Sequence, residues 1–189
     1  MDPNEPNARL DPASEEIGAE DAPAPRADAG ALLTEPAGWT DALTGTEGPR
    51  YWDRLISGEQ ARLRRHRRRV TIMFVELSGF EGAATSIGRD AALQKFAHLS
   101  RRLAAQIRSS DHIARVGPGR FGLLLVETNE LEALNFIDRV LKHLQTAIAD
   151  DGLEIHVGVG WASSEPGGKL SGAIATAEER LATDFFHTR

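Results

Sequence analysis

The sequence predicts an α/β protein, an α+β sandwich in which helices flank a central mixed β-sheet. Two observations predict this class. Short apolar runs typical of strands alternate along the chain with segments whose apolar residues recur at helical spacing. In addition, two of the apolar runs are separated only by a four-residue loop that contains glycine, which is typical of an antiparallel hairpin. Alternating strands and helices with one hairpin therefore indicate a layered fold around one sheet.

The first 38 of the 189 residues are predicted to be a disordered tail, and residues 39–189 a single domain. The tail holds six of the nine prolines, no aromatic residue, and nine acidic residues against two arginines. Such a segment buries too little apolar surface to offset the entropy cost of ordering it. Its charge of −7 leaves the domain near +1 out of the overall −6. The tail is interpreted as a solvating leader or, alternatively, as a docking arm.

The first predicted helix begins at Glu47 or Pro49 and ends near Arg67. It leads into a strongly basic run at residues 62–69. That run is typical of a solvated helix C-terminus, where cations interact favourably with the dipole. The alternative is a phosphate-binding patch for nucleic acid or lipid. Because the run is short, lacks aromatic residues and belongs to a nearly neutral domain, the first interpretation is favoured and nucleic-acid binding is not expected.

The remaining elements follow from the same two patterns. They are a buried strand at residues 70–77, a helix at 90–108, hairpin strands at 112–116 and 121–126, a helix at 130–149, a strand at 154–161 and a helix at 170–183. The chain has no cysteine, which excludes disulfides and thiolate metal sites. No apolar run approaches the roughly 20 residues of a membrane helix, so a cytoplasmic protein without a membrane partner is expected.

Four motifs occur in a fixed order over about residues 40–187. They are Asp41-Ala42-Leu43-Thr44-Gly45, the segment from Phe74 to Phe80, the hairpin turn Gly117-Pro118-Gly119-Arg120-Phe121, and Val157-Gly158-Val159-Gly160. In order and spacing they resemble the motifs of GGDEF domains, the bacterial diguanylate cyclases. The resemblance implies the fold of that family, a central sheet flanked by helices.

The resemblance also shows which family positions have changed. Glu76 remains acidic, but Ser78 and Arg120 stand where the family has its other acidic residues, which hold Mg²⁺. Ala84 and Leu93 stand where the family has the Asn and Asp that hold guanine. At the turn, Gly117, Pro118, Gly119, Arg120 and Phe121 replace Gly-Gly-Asp/Glu-Glu-Phe. Phosphoryl transfer depends on positioning and on metal-bound charge, so we expect no cyclase activity and no Mg²⁺ cofactor.

A second nucleotide site is implied by Arg108-Ser109-Ser110-Asp111, which resembles the family's R-x-x-D motif for cyclic di-GMP, and by Arg139 on the next helix. Arginine can donate two bonds to guanine O6 and N7, and a carboxylate can accept from the opposite edge. The alternative is a local ion pair between Arg108 and Asp111. The expected function is that of a catalytically inactive cyclic di-GMP receptor that regulates an unidentified protein partner. Because the ligand has two guanines, ligand-linked homodimers are also expected. The competing hypothesis is a protein-interaction scaffold that needs no nucleotide.

Overall fold

The computed structural model describes residues 31–149 and 152–187, with side chains as far as residue 184. Nine elements follow one another in these residues. They are α1 (Pro49–His66), β1 (Val70–Ser78), α2 (Phe80–Ile87), α3 (Arg89–Ala104), β2 (His112–Arg115), β3 (Arg120–Val126), α4 (Glu130–Ala149), β4 (His156–Ser163) and α5 (Leu170–His187). Within the same residues, no helix combines the length and the apolar character needed to cross a bilayer. The predicted α+β class is confirmed.

The four strands form one sheet in the order β2-β3-β1-β4, and every neighbouring pair is antiparallel. The prediction of a mixed sheet is therefore wrong in this detail. Strand β2 follows β1 through two helices and runs parallel to it. Strand β4 follows β3 through one helix and also runs parallel to it. In each case, however, one antiparallel strand lies between the two, as in split βαβ folds. Among the described residues, the parallel contact in this region is an isolated bridge between Glu47 and Ala114.

Strand β1 lies in the middle of the sheet and is buried on both faces. Met73, Val75 and Leu77 contribute to the core beneath α2, α3 and α4, whereas Ile72 and Phe74 contribute to the core beneath α1 and α5. Successive strand residues point to opposite faces, so a strand covered on both faces is apolar over most of its length. This accounts for the uninterrupted apolar run at residues 72–75, whereas Thr71, Glu76 and Ser78 are the polar residues of β1.

The helix predicted at residues 90–108 begins and ends differently. It is α3, which ends at Ala104, and a separate eight-residue helix, α2, precedes it. Gly88, with φ of 90°, lies between the two helices and stops α2. After α3, the carboxylate of Asp111 accepts the Arg108 N–H at 3.2 Å, an alternative partner that favours a turn over further helix. The helix predicted at residues 130–149 is confirmed at both ends.

Part of the stretch predicted to be a disordered tail contacts the domain. Leu32 is only 3% exposed and belongs to the core beneath α2 and α3. Of the predicted tail, residues 1–30 lie outside the described part of the chain. The division into a tail of residues 1–38 and a domain of residues 39–189 stays a prediction.

Candidate functional site

The β2–β3 turn lies directly beside the end of β1. The backbone N–H of Leu77 donates to the carbonyl oxygen of Gly119 at 2.9 Å. A Cβ on Gly119 would lie 2.2 Å from the carbonyl oxygen of Leu77, so only glycine allows this approach. The turn residues and the end of β1 therefore form one surface, as the family resemblance implies.

Glu76 and Arg120 are directly paired residues of β1 and β3. The Arg120 guanidinium donates from Nε at 2.8 Å and from Nη2 at 2.6 Å to the same carboxylate oxygen, Glu76 Oε2. The side chains are 41% and 27% exposed, respectively. The Glu76 carboxylate is thus neutralised by Arg120.

The residues here do not fit the Mg²⁺ site of the family. Magnesium requires oxygen ligands, usually carboxylates, in octahedral geometry. Glu76 is engaged by a cation, and Ser78 offers only a neutral hydroxyl. In the part of the chain that the structure describes, no group of three or more His, Asp or Glu residues could hold a metal ion.

The resemblance implies that two further residues stand where the family holds guanine, and both are apolar and lie in apolar surroundings. Ala84 on α2 and Leu93 on α3 are partly buried and pack against the core beneath these helices. Neither side chain carries a hydrogen-bonding group. In the cleft between the turn, α2 and α3, neither residue can therefore donate or accept a hydrogen bond to a base edge through its side chain.

A buried ion pair anchors the hairpin to the start of the domain. Arg115 Nη1 donates to Asp41 Oδ2 at 2.9 Å, and the side chains are only 2% and 8% exposed. Arg115 also donates to the carbonyl oxygens of Thr34 and Pro118, and its guanidinium lies over the Phe96 ring. Asp41 belongs to the first of the four motifs, but its partner, 74 residues away, was not predicted.

The three residues predicted to bind cyclic di-GMP line one pocket. Arg108 and Asp111 come from the loop before β2, and Arg139 from α4, and together they surround a cavity of about 130 Å³. Arg139 lies 28 positions after Asp111, on the other side of the hairpin, so the fold brings it to the other two residues. Whether a ligand binds there remains a prediction.

Asp111 is held by the backbone. Its Oδ1 accepts the N–H of Val126 at 3.1 Å, and its Oδ2 accepts the N–H of Arg108 at 3.2 Å. The residue is 9% exposed, and no cation among the described residues forms an ion pair with it. The predicted alternative, an Arg108–Asp111 ion pair, is not formed. Each oxygen keeps a second lone pair that can accept from a ligand.

The two arginines of the pocket are exposed. Within residues 31–149 and 152–187, the Arg108 guanidinium has no hydrogen-bond or ion-pair partner. Arg139 Nη2 donates to the carbonyl oxygen of Gln106 at 3.1 Å, and its guanidinium lies 5.2 Å from the centroid of Phe136. Two cationic groups therefore lie beside the buried Asp111 carboxylate. The Arg139 guanidinium is fixed by its contacts, and the Arg108 guanidinium is available to a ligand.

Sequence analysis missed the other pocket residues on α4. They are Glu132, Asn135 and Phe136. Together with Arg139 they occupy relative positions i, i+3, i+4 and i+7, which form one helix face. Counting back from Arg139 by helical spacing could have identified them. Glu132 also caps α4, since it accepts the N–H of Asn129 and donates its own N–H to the Asn129 side chain.

Fold and site together define a nucleotide-cyclase-like domain with an altered hairpin turn. The family model described as diguanylate cyclase, GGDEF domain, matches residues 38–184. The chain belongs to the GGDEF domain family.

Known proteins resemble this chain over the same region. The probable diguanylate cyclase DgcC of Escherichia coli strain K12 is 28% identical over 106 residues, which are 56% of this chain and 29% of DgcC. The chain thus spans less than a third of that relative. The solved coiled coil and GGDEF domain of DgcB from Caulobacter crescentus, in complex with c-di-GMP, gives a TM-score of 0.69 at 15% identity. It covers 79% of this chain and 82% of that one.

A second solved structure contains a protein partner. Diguanylate cyclase SiaD from Pseudomonas aeruginosa, in complex with its activator SiaC, gives a TM-score of 0.66 at 22% identity. It covers 80% of this chain and 59% of that one. At these identities, the two structures establish a common fold.

Proposed function

We propose that this GGDEF domain is a catalytically inactive receptor for cyclic di-GMP that regulates a protein partner. The observation that carries the proposal is the convergence of Arg108, Asp111 and Arg139 on one pocket. The likeness in fold to DgcB, whose solved structure is a complex with c-di-GMP, also supports it.

The residue types suit a guanine nucleotide. The Arg108 guanidinium can donate two parallel bonds to guanine O6 and N7, which is worth about 1–3 kcal/mol of discrimination. Asp111 can use its remaining lone pairs for the N–H groups of the opposite edge. The Arg139 guanidinium lies over the Phe136 ring and can stack on a base or neutralise phosphate, because guanidinium is planar and always charged.

The size of the pocket predicts how much of the ligand enters. Pockets that enclose a whole small molecule measure about 300–1,000 Å³, and this one measures about 130 Å³. We expect one guanine to enter, while the phosphates lie over the exposed arginines. The second guanine then remains available for another copy of the protein, which is a route to a ligand-linked dimer.

The proposal that this domain lacks cyclase activity rests on the residues at and near the hairpin turn. Arg120 neutralises Glu76, and Ser78 does not replace the second carboxylate. The cleft offers Ala84 and Leu93 where a base would need polar partners. Each departure would weaken an enzyme, and together they remove both metal and base binding. Incubation with GTP and Mg²⁺ should therefore yield no cyclic di-GMP.

Calorimetric titration with cyclic di-GMP tests the receptor function. The wild-type protein should bind, and Arg108→Ala and Arg139→Ala should each weaken binding by at least tenfold, the equivalent of about 1.4 kcal/mol. Arg54→Ala is the matched control, because Arg54 is exposed on α1, which packs on the opposite face of the sheet. Light scattering with and without ligand tests for the dimer.

A scaffold that needs no nucleotide is the second candidate. It is favoured by the hydrogen bonds of Asp111, since both carboxylate oxygens already have backbone partners. On that hypothesis, cyclic di-GMP produces no heat and no thermal shift at high micromolar concentration, and pull-down of a partner is unaffected by the ligand. The two candidates therefore predict opposite results in the same titration.

A further inference from the structure

Residues 31–34 pass through the cleft between the hairpin turn, α2 and α3, with the backbone bent at Leu32 and Leu33. Leu32 is 3% exposed and joins a core cluster that includes Leu77, Phe80 and Phe96. Leu33 packs against the same cluster. Its Cδ1 would lie 3.9 Å from a Cβ built on Gly119, at the centre of the turn. Two consecutive leucines thus fill the apolar cleft.

Three charged side chains of the domain bind the backbone of this segment. Glu81 Oε1 on α2 accepts the N–H of Leu32 at 2.6 Å. Arg89 Nη2 on α3 donates to the carbonyl oxygen of Ala31 at 3.1 Å. Arg115 Nη2 on β2 donates to the carbonyl oxygen of Thr34 at 2.9 Å. The segment is therefore held by hydrogen bonds to its backbone as well as by the apolar contacts of its two leucines.

The chemistry of the cleft agrees with a peptide ligand. Ala84 and Leu93, at the positions that correspond to guanine-binding residues, belong to the apolar lining of the same cluster. A nucleotide would leave its polar base edge without partners there, which is unfavourable in a buried site. Leucine side chains need no such partners, and the charged groups at the rim match peptide N–H and C=O groups.

We propose that this cleft is a peptide-binding site for a short, bent segment with two adjacent leucines, and that residues 31–34 of the chain are its resident ligand. Tethering gives such a segment an effective concentration in the millimolar range. The cleft is therefore closed to other peptides until the segment leaves. This site is separate from the pocket of Arg108, Asp111 and Arg139, so the proposal does not depend on cyclic di-GMP.

A competition experiment with full-length protein tests the proposal. A fluorescent peptide with the sequence of residues 29–37 is titrated with wild-type protein and with Leu32→Asp, and its anisotropy is measured. The variant should release its own segment and bind the peptide. The wild type should bind the peptide at least about tenfold more weakly than the variant, because the tethered segment competes. The same peptide carrying Leu32→Asp should not bind either protein.

Ala37→Asp is the matched control. Ala37 is exposed in the same segment, so the substitution adds the same charge without releasing Leu32, and this variant should behave like the wild type. Leu32→Ala provides a second release variant if Leu32→Asp does not fold. Equal peptide affinity for wild type and release variants, or binding to none of the folded proteins, would overturn the proposal.

Hydrogen exchange gives an independent measurement on the unmodified protein. The Leu32 amide bonds to Glu81 in a buried setting, so it should exchange more slowly than the exposed amides that flank it. Glu81→Ala should accelerate its exchange. Exchange at the rate of an unstructured peptide in the wild type would contradict a seated segment and with it the proposal.

Discussion

Arg120 and Glu76 lie directly opposite each other on β3 and β1, and the guanidinium donates two hydrogen bonds to one carboxylate oxygen. The arginine at this turn position therefore neutralises the acidic residue opposite it. On the proposed function, the same arginine also stands where the resemblance implies a metal ligand, so it would account for both changes in charge at this site.

Replacing Arg120 with glutamate should not produce an active cyclase. The variant regains an acidic turn, but Ser78, Ala84 and Leu93 remain, and incubation with GTP and Mg²⁺ should yield no cyclic di-GMP by chromatography. Because two like charges would then lie opposite each other, stability should fall by up to about 1 kcal/mol. Arg120→Gln, which is neutral, is the control for stability. Steady product formation by Arg120→Glu would contradict the proposed loss of function.

Breaking the buried pair between Asp41 and Arg115 should strongly destabilise the domain. Asp41→Asn leaves the Arg115 guanidinium, only 2% exposed, without its anion. The expected loss is about 3–5 kcal/mol in urea denaturation, the range for removing one partner of a buried pair. The comparison is Asp138→Asn in the exposed pair with Lys142, which should cost less than about 0.5 kcal/mol. Equal effects of the two variants would refute the anchoring role of Asp41.

Asp111→Asn should reduce stability, whereas Arg108→Ala should not. The Asp111 oxygens accept two backbone N–H groups, and one of them would face the amide NH₂ of asparagine. The expected cost is about 1–3 kcal/mol, measured by thermal or chemical unfolding. Arg108→Ala should stay within about 0.5 kcal/mol of the wild type, as is usual for surface substitutions. A large stability loss in Arg108→Ala would show that its guanidinium is structural.

Gly160→Ala should destabilise the contact between β4 and α5. A Cβ at this position would lie 2.0 Å from the carbonyl oxygen of Ala177, and inserting volume into packed cores typically costs about 1–3 kcal/mol or more. The control is Gly172→Ala on α5, where the added Cβ meets no atom within 4 Å. That change should stabilise the helix by about 0.5–1 kcal/mol. If Gly160→Ala were neutral, α5 could not pack this closely on the sheet.

The only tyrosine of the chain should titrate above its ordinary pKa of 10.0. Burial raises the pKa of Tyr51, and the charge of Glu47 raises it further. Since the folded state favours the neutral phenol, this stabilisation is complete below pH 10 and is lost as pH rises through the pKa of the folded state. Ultraviolet titration of tyrosinate measures the midpoint. Glu47→Gln should lower it towards 10, and an unchanged midpoint would exclude the Glu47 contribution.

How well the sequence predicted each element depends on how local its determinants are. Helix α4 is predicted to the residue because its apolar stripe and its cap, Asn129 with Glu132, lie within the element. Helix α2 was not predicted because its eight residues bury only Phe80 and Ala83. Two buried residues are too few to show a helical periodicity in the sequence. The burial of Leu32 was not predicted because the residues that bury it lie far along the chain.

The family resemblance, the order of eight of the nine elements and the choice of Arg108, Asp111 and Arg139 as candidates all followed from the sequence. The pairing of Arg120 with Glu76, the backbone N–H groups bound to Asp111 and the contacts of residues 31–34 became visible only in the folded chain. These contacts join residues that are distant along the chain. Glu76 and Arg120 are 44 residues apart, and Leu32 and Glu81 are 49 residues apart. Sequence patterns can identify such residues as candidates, but the partner of each residue depends on the tertiary fold.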